Sequence, residues 1–263
     1  MKVYWAVLSA RFRMLLQYRA AAAAGLVTQI FWGFIRVMVF TAFYESTTSP
    51  QPMTIHETVT YVWLGQATFR LLLWRADPEL QEMIHTGTVA YELIRPVDLY
   101  WLWLARSVAG IASPTFLRAV PLLLMAWLFF GLHAPASVAS GAAWVLATGV
   151  AVLLVSAMAT LVSISLLWTI SGQGVATLLP AAVWCLSGMV IPLPLLPDWA
   201  QPILWALPFR GMMDIPFRIY MGNIPPSEWV LAVGQQVAWT AGLICLGRWV
   251  LARGMRRLVV QGG

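Results

Sequence analysis

Charged side chains are scarce in this sequence. Asp, Glu, Lys and Arg make up 10% of its 263 residues, whereas soluble domains carry about 25%. None of the four types occurs between Ala119 and Pro197, and this run is long enough for two membrane helices and part of a third at about 20 residues each. A soluble globular core does not account for such a run, so a water-soluble fold is excluded.

The chain also has few of the residues that common catalytic motifs require. Lys2 is its single lysine, so the Gly-x-x-x-x-Gly-Lys-Ser/Thr phosphate loop cannot form and any ATP must be hydrolysed by another subunit. The three histidines are far apart in sequence and form no His-Glu-x-x-His zinc motif, and the Gly-x-Ser-x-Gly nucleophile motif is absent. The two cysteines show no metal-ligand spacing and are interpreted as packing residues.

Apolar residues, by contrast, are abundant. They make up 60% of the chain, and the mean hydropathy is +0.78. Their distribution predicts an all-α, polytopic membrane protein with about six transmembrane helices. The predicted spans are residues 20–44, 59–74, 99–132, 138–170, 175–196 and 229–251.

The first nineteen residues read as a separate helix. Lys2, Arg11, Arg13 and Arg19 occur without any acidic residue, and apolar side chains recur at helical spacing between them. A basic amphipathic helix is typical of the membrane interface. The sequence therefore predicts an interfacial helix over residues 1–19, and a helix packed on the bundle is the alternative.

Proline is concentrated before the last predicted span. Residues 191–229 contain eight of the sixteen prolines but stay rich in Trp, Leu, Phe and Met. Proline excludes one long helix, and such an apolar segment is not typical of an aqueous loop. We predict short re-entrant helices over residues 192–228, on the extracytoplasmic side and buried against protein.

Basic residues near the ends of the six predicted spans are distributed unequally. Eleven fall on the side of the two termini, and the opposite side has only Arg210 and Arg218. The eleven are Lys2, Arg11, Arg13, Arg19, Arg75, Arg95, Arg106, Arg248, Arg253, Arg256 and Arg257. Because loops rich in Lys and Arg stay inside the cell, we expect both termini and residues 75–98 to be cytoplasmic, in a bacterial inner membrane.

Residues 75–98 hold five of the ten acidic residues and cannot span a membrane. Pro78 stands where a short helix could begin. The apolar residues of this segment could dock on a soluble partner while its acids set the register, although a solvated loop is the alternative. These apolar residues are Leu80, Met83, Ile84, Val89, Leu93 and Ile94.

Three arginines fall within apolar segments, where an unpaired charge costs on the order of 3 kcal/mol at the bilayer centre. Arg36 and Arg118 are candidates for lining a translocation path or for binding an anionic substrate, and a structural ion pair or contact with the membrane surface is the alternative. Arg70 lies near the cytoplasmic end of its predicted span, which favours snorkelling towards the head groups.

Two stretches and the overall layout together resemble a known family. The stretches are TYVWLGQATFRLLLW (Thr60–Trp74) and GTVAYELIRPVDLYW (Gly87–Trp101). With the N-terminal helix and the proline-rich segment before the last span, they are similar to permeases of the bacterial type-2 ATP-binding-cassette (ABC) transporters, in an export-type branch. The resemblance covers essentially the whole chain.

This resemblance implies a permease dimer, with a heterodimer favoured, that works with two cytoplasmic ATPase subunits. The permease is then not an enzyme: ATP and Mg²⁺ bind to the partner, and this chain has no cofactor. It also implies contact with membrane lipids and none with nucleic acid. Residues 192–228 would cap the exit side of the path. The coupling helix would comprise Pro78, Glu79, Leu80, Glu82, Met83 and His85, with Glu79 and Glu82 as its main polar contacts.

Two other functions are weighed against this one. A stand-alone secondary transporter would show inverted repeats and acids inside its spans, and neither is visible in the sequence. An intramembrane lipid-modifying enzyme would require a polar constellation at the membrane face, where Arg36, Arg118, Asp198, Asp214 and Glu228 are the residues to test. Neither alternative predicts an ATPase partner.

Overall fold

The computed structural model describes residues 2–17, 19–72, 76–167 and 173–255. All regular elements within these ranges are helices, which confirms the predicted all-α class. Three basic residues used in the charge count, Arg75, Arg256 and Arg257, lie outside the described residues. The α-helices within them are α1 (Lys2–Leu15), α2 (Arg19–Ser46), α3 (Ile55–Thr68), α4 (Pro78–His85), α5 (Ala90–Leu93), α6 (Leu99–Phe129), α7 (Val138–Ser165), α8 (Gln173–Leu186), α9 (Gln201–Ala206), α10 (Asp214–Met221) and α11 (Trp229–Met255).

Four helical segments among the described residues are long and apolar enough to cross a membrane. They are Ala23–Ser46, Leu99–Phe129, Val138–Ser165 and Pro226–Met255. The other two predicted spans correspond to shorter helices. Residues 59–74 fall on α3 and a 3₁₀ turn that continues it to Leu72, and residues 175–196 fall on α8, which ends at Leu186. The chain is a polytopic membrane protein, and six spans remain a prediction.

Polar side chains fix where several helices begin. Thr54 accepts a hydrogen bond from the backbone N–H of Glu57, and the Glu57 carboxylate accepts one from the Thr54 N–H, so the two residues form a capping box for α3. Asp77, Asp98 and Ser137 cap α4, α6 and α7, each by accepting a backbone N–H on a side-chain oxygen. Short polar residues next to apolar runs therefore define these boundaries.

Helix α7 lies at the centre of the bundle and contacts α6, α10 and α11. Its inward face carries small residues, among them Ala147, Ala151, Ala157 and Ala159, all buried. Small side chains let neighbouring backbones approach closely, which is how membrane helices gain packing energy without a solvent-driven hydrophobic effect. The well-packed part of the protein is therefore built around α7.

Helices α1 and α4 and the C-terminal part of α11 meet at one end of the bundle, here called the terminal end. Helix α1 packs along α6, and the Ser113 hydroxyl donates to the Phe12 carbonyl (3.1 Å). Asp98, at the start of α6, forms an ion pair with Arg248 of α11 (3.1 Å), and its backbone N–H donates to the Tyr4 hydroxyl (2.9 Å). A position of α1 in the membrane interface remains a prediction, although its outer face is exposed.

The opposite end of the bundle, here called the far end, holds the short helices of residues 193–228. They include α9, α10 and four 3₁₀ turns, which confirms the prediction of short helices before the last long one. They pack against α3, α7 and α11. The Tyr220 hydroxyl of α10 donates to the His133 carbonyl (2.8 Å), and the Asn223 amide donates to Glu57 (2.6 Å). These bonds tie the segment to the loops around it.

Candidate docking face and membrane-level arginines

The start of α4 is held firmly at the terminal end. The Asp77 carboxylate accepts a hydrogen bond from the Glu79 backbone N–H (3.0 Å), and Pro78 occupies the first turn, where its missing N–H costs nothing. The Asp77 N–H donates to the Ser163 hydroxyl of α7 (3.1 Å). Helix α4 therefore begins in contact with the last turn of a central helix.

Helix α1 clamps the same site through one arginine. Arg11 contacts Asp77 at 2.9 Å and Glu79 at 3.0 Å. The Asp77 side chain is 9% exposed and the Glu79 side chain 59%. Exposed ion pairs contribute about 0–1 kcal/mol, so the pair with Asp77 is the stronger restraint. The N-terminal helix is thus joined to the start of α4.

A buried carboxylate anchors the second half of the segment to α6. Glu92 is 3% exposed, and it accepts hydrogen bonds from the Trp103 indole N–H (2.8 Å) and from Arg106 (2.6 Å). Arg95 lies 3.8 Å from the same carboxylate. Buried charges persist where they are paired and hydrogen-bonded, and Glu92 meets both conditions. Residues 76–98 are therefore a braced unit rather than the solvated loop considered from the sequence.

The six predicted coupling residues occur on one helix, because α4 runs from Pro78 to His85. Pro78, Glu79 and Glu82 are exposed, and Met83 is half-buried. Leu80 is buried in the core, so its side chain points into this chain and is not available to a partner. The side chain of His85 lies outside the described part of the structure.

Two exposed apolar side chains on the same segment complete this surface. Tyr91 is 69% exposed and Ile94 78%. With Gln81 and Glu82 of α4, which are also exposed, they define what we call the docking face. Exposed aromatic and aliphatic residues beside a charge are typical of protein interfaces. Ile94 was predicted only as one of the apolar residues of this segment, and Tyr91 was not predicted. Both lie within the GTVAYELIRPVD stretch, which is the signal in the sequence that could have identified them.

Arg36 of α2 lies near the middle of the membrane-crossing region. It is about two residues, or 3 Å, from the midpoint of the apolar stretch Ala23–Ser46. Its guanidinium group donates to the Val190 carbonyl (3.1 Å) and contacts the Met189 sulfur (3.7 Å).

Arg118 of α6 also lies against α2, at a different level. A Cβ at Gly25 would be 2.7 Å from the Arg118 guanidinium carbon, so glycine permits this approach. Gly25 and Arg36 are separated by about 16 Å along α2 at 1.5 Å per residue. The structure therefore puts both candidate path arginines beside one helix and does not bring them together.

The described part of the chain contains no candidate metal-binding site. No group of three or more His, Cys, Asp or Glu side chains there could hold an ion. His56 and His133, which are distant in sequence, do meet at the far end, with ring centroids 5.3 Å apart in an edge-to-face contact. Two rings without a third ligand are a packing contact.

Comparison with known families gives one match across most of the chain. The family described as ABC-2 family transporter protein matches residues 30–262. Searches of curated proteins and of solved structures find no match. The matched region contains three of the four candidate membrane-crossing helices and most of the first one, together with the braced segment 76–98 and both membrane-level arginines. This chain therefore belongs to the ABC-2 family of transporter proteins and is a permease component of an ABC transporter.

Proposed function

We propose that this chain is the membrane-spanning permease of an ATP-driven exporter and that a separate cytoplasmic ATPase binds the docking face. The observation that supports this proposal is that the terminal end presents exposed side chains on a backbone that is held in place by other helices. Glu82, Tyr91 and Ile94 are exposed, while the backbone beneath them is tied to α1, α6 and α7. A partner that pulls on such a surface moves helices rather than a loop.

The contacts of residues 76–98 support a mechanical route from the ATPase to the bundle. Arg11 links a shift of α4 to α1, Ser163 links it to α7, and the Glu92–Arg106 pair links it to α6. A cavity of about 430 Å³ between α1, the start of α4 and α6 leaves room for the shift. In the proposal, ATP-driven closure of two ATPase subunits moves α4 in each permease and rocks the two permeases as rigid bodies.

Two permease chains form the path in this proposal, with a heterodimer favoured. Apolar side chains exposed on α2, α6 and α11 need a covering of lipid or of the second permease. They include Phe31, Met38, Leu124, Trp127, Leu246 and Trp249. ATP and Mg²⁺ bind to the ATPase, Arg36 and Arg118 line the path, and residues 192–228 cap its exit side. The terminal end faces the cytoplasm of a bacterial inner membrane, so both termini are inside.

The test is to reverse the charge on the docking face and remove its apolar anchor. Glu82→Lys combined with Ile94→Asp should lower at least tenfold the ATP hydrolysis that co-purifies with the permease, because interfaces depend on a few buried anchors. Glu45→Lys, which makes the same charge change on an exposed residue in the last turn of α2, is the matched control and should leave that activity unchanged. If the double variant is correctly inserted and the ATP hydrolysis that co-purifies with it is unaltered, the docking assignment is refuted.

A further inference from the structure

A cavity of about 350 Å³ opens between α2, α3 with its 3₁₀ turn, and α8. Its walls are mainly aromatic and aliphatic and include Trp32, Ile35, Phe69, Trp184 and Val190. Trp32 and Trp184 are partly exposed, so their indole faces are available. Binding sites for small molecules are concave, apolar and about 300–1,000 Å³ in volume, with a few well-placed polar groups.

Arg36 contributes a positive charge to this cavity without a carboxylate partner. All ten acidic residues lie within the described ranges. None of them lies within 4 Å of an Arg36 nitrogen, and the contacts of its guanidinium group are a backbone carbonyl and a thioether. A charged side chain near the middle of a membrane is ordinarily paired or faces a functional cavity. The guanidinium is thus positioned to meet an anion in the cavity.

Gln29 adds an unpaired amide to the same cavity. Its side chain is 3% exposed, and neither its Oε1 nor its Nε2 has a hydrogen-bond partner among the described residues. Gln29 and Arg36 are seven residues apart, which places them on one face of α2 and about 10 Å apart along it. A buried amide without hydrogen-bond partners destabilises the protein. A ligand that forms hydrogen bonds with this amide removes that cost and therefore binds more tightly. Gln66, 2% exposed, is a third polar group in the lining.

We propose that this cavity binds an amphipathic organic anion, with an aromatic or acyl body against the indole walls and one acidic group directed at Arg36. The Gln29 amide would hydrogen-bond to a second polar atom of the same ligand. The inference rests on the proposed function, in that the ligand would be the class of cargo that the permease moves. Neutral apolar compounds would leave both Arg36 and Gln29 unpaired and would bind less tightly.

The test uses the full-length chain in phosphatidylcholine nanodiscs and two probes with one aromatic body. Anilinonaphthalene sulfonate carries an acidic group, and phenylnaphthylamine does not. Binding is measured by equilibrium dialysis, with empty discs subtracted. We expect the sulfonate to bind more tightly, and Arg36→Gln to weaken it on the order of tenfold or more, as for a lost hydrogen bond to a charged group. The neutral probe should change by less than about twofold.

Further variants separate ligand binding from structure. Arg36→Lys keeps the charge and should retain most of the preference for the sulfonate. Gln29→Leu should weaken sulfonate binding several-fold without lowering the thermal stability, since it removes an unsatisfied buried amide. Arg13→Gln, which removes an exposed charge on α1, should change nothing. Equal loss of both probes in Arg36→Gln would overturn the proposal, as would equal affinity of both probes for the unaltered chain, a comparison that requires no variant to fold.

The anion could come from a free amphiphile or from a membrane lipid. Discs containing phosphatidylglycerol distinguish the two, because competition with the sulfonate assigns the site to lipid anions and its absence assigns it to free ones. None of these measurements requires an ATPase. If the unaltered chain binds the sulfonate selectively while the docking-face variant leaves the co-purifying ATP hydrolysis unchanged, this site is retained and the coupling proposal is refuted. The reverse pattern would retain the coupling proposal and refute this site.

Discussion

Position 188 needs glycine for two independent reasons. Its φ is +92°, a backbone conformation that side-chain-bearing residues rarely adopt, and a Cβ there would overlap the Tyr61 hydroxyl. We expect Gly188→Ala to lower the free energy of unfolding by about 1–2 kcal/mol or more, seen as a lower midpoint of thermal aggregation in detergent. Gly149→Ala in α7, where a Cβ would meet nothing within 4 Å, should be neutral or stabilising. Equal losses in the two variants would contradict this reading.

The Glu92–Arg106 pair allows a double-mutant test at the same scale. Glu92→Ala leaves Arg106 and the Trp103 N–H without their buried acceptor, and it should cost about 3 kcal/mol. Arg106→Ala alone should also destabilise, whereas the double variant should lose less than the two singles combined, because no unpaired charge remains. Strict additivity in thermal unfolding would show that the two side chains do not interact.

The sequence identifies these residues but not their partners. An arginine at 106 is visible in the sequence, yet its acceptor Glu92 depends on how α5 folds back onto α6. Arg36 and Arg118 were predicted together because both interrupt apolar segments, but the structure places Arg118 beside Gly25, about 16 Å along α2 from Arg36. Packing depth and register between helices are tertiary quantities, which composition and spacing do not specify.

At the scale of elements, the position of α4 should depend on the two ion pairs that Arg11 forms. Arg11→Ala releases the clamp between α1 and the start of α4, and we expect a severalfold loss of ATP hydrolysis coupled to the permease with little loss of fold stability. Arg13→Ala is the matched control, since Arg13 is exposed and its hydrogen bond goes to the Ser9 carbonyl of its own helix. Identical activity of the two variants would remove α1 from the proposed route.

Helix α4 also shows what a local pattern can and cannot predict. Asp77 and Pro78 mark its start in the sequence as they do in the structure, because capping is local. Its apolar residues were predicted to face a partner, but Leu80 packs inward and the exposed apolar residues are Tyr91 and Ile94, which follow a turn. Amphipathic spacing predicts that a helix has one apolar face. Whether that face packs inside the same chain or against a partner depends on the neighbouring helices.

At the scale of the whole molecule, two of the predicted spans contain a change in backbone conformation that hydropathy does not predict. The segment 59–74 is mostly apolar, with Arg70 as its one charged residue, but α3 tightens into a 3₁₀ turn at Phe69. Helix α8 ends at Leu186, two residues before the positive φ of Gly188. A hydropathy average reports the solvent that a segment prefers and does not report backbone breaks within it. The same average identifies α2, α6, α7 and α11 correctly, because each is one uninterrupted helix.

The whole-molecule prediction is that the terminal and far ends lie on opposite sides of the membrane. Cysteines at Glu82 of the docking face and at Ser49 between α2 and α3 would report the two ends, in a chain whose own cysteines, Cys185 and Cys245, are replaced by alanine. A membrane-impermeant maleimide should label Ser49→Cys in intact cells, and Glu82→Cys only after permeabilisation. The physical reason is the excess of Lys and Arg at the terminal end, which resists translocation.

The reverse labelling pattern would place the docking face outside the cell, where ATP is scarce, and no cytoplasmic ATPase could then reach Glu82, Tyr91 or Ile94. Labelling of both positions in intact cells would show that they lie on the same side, so that α3 and its 3₁₀ turn do not carry the chain across the membrane. Because α3 falls short of the length of a typical span, this pair of positions tests the orientation and the crossing by residues 55–72 in one measurement.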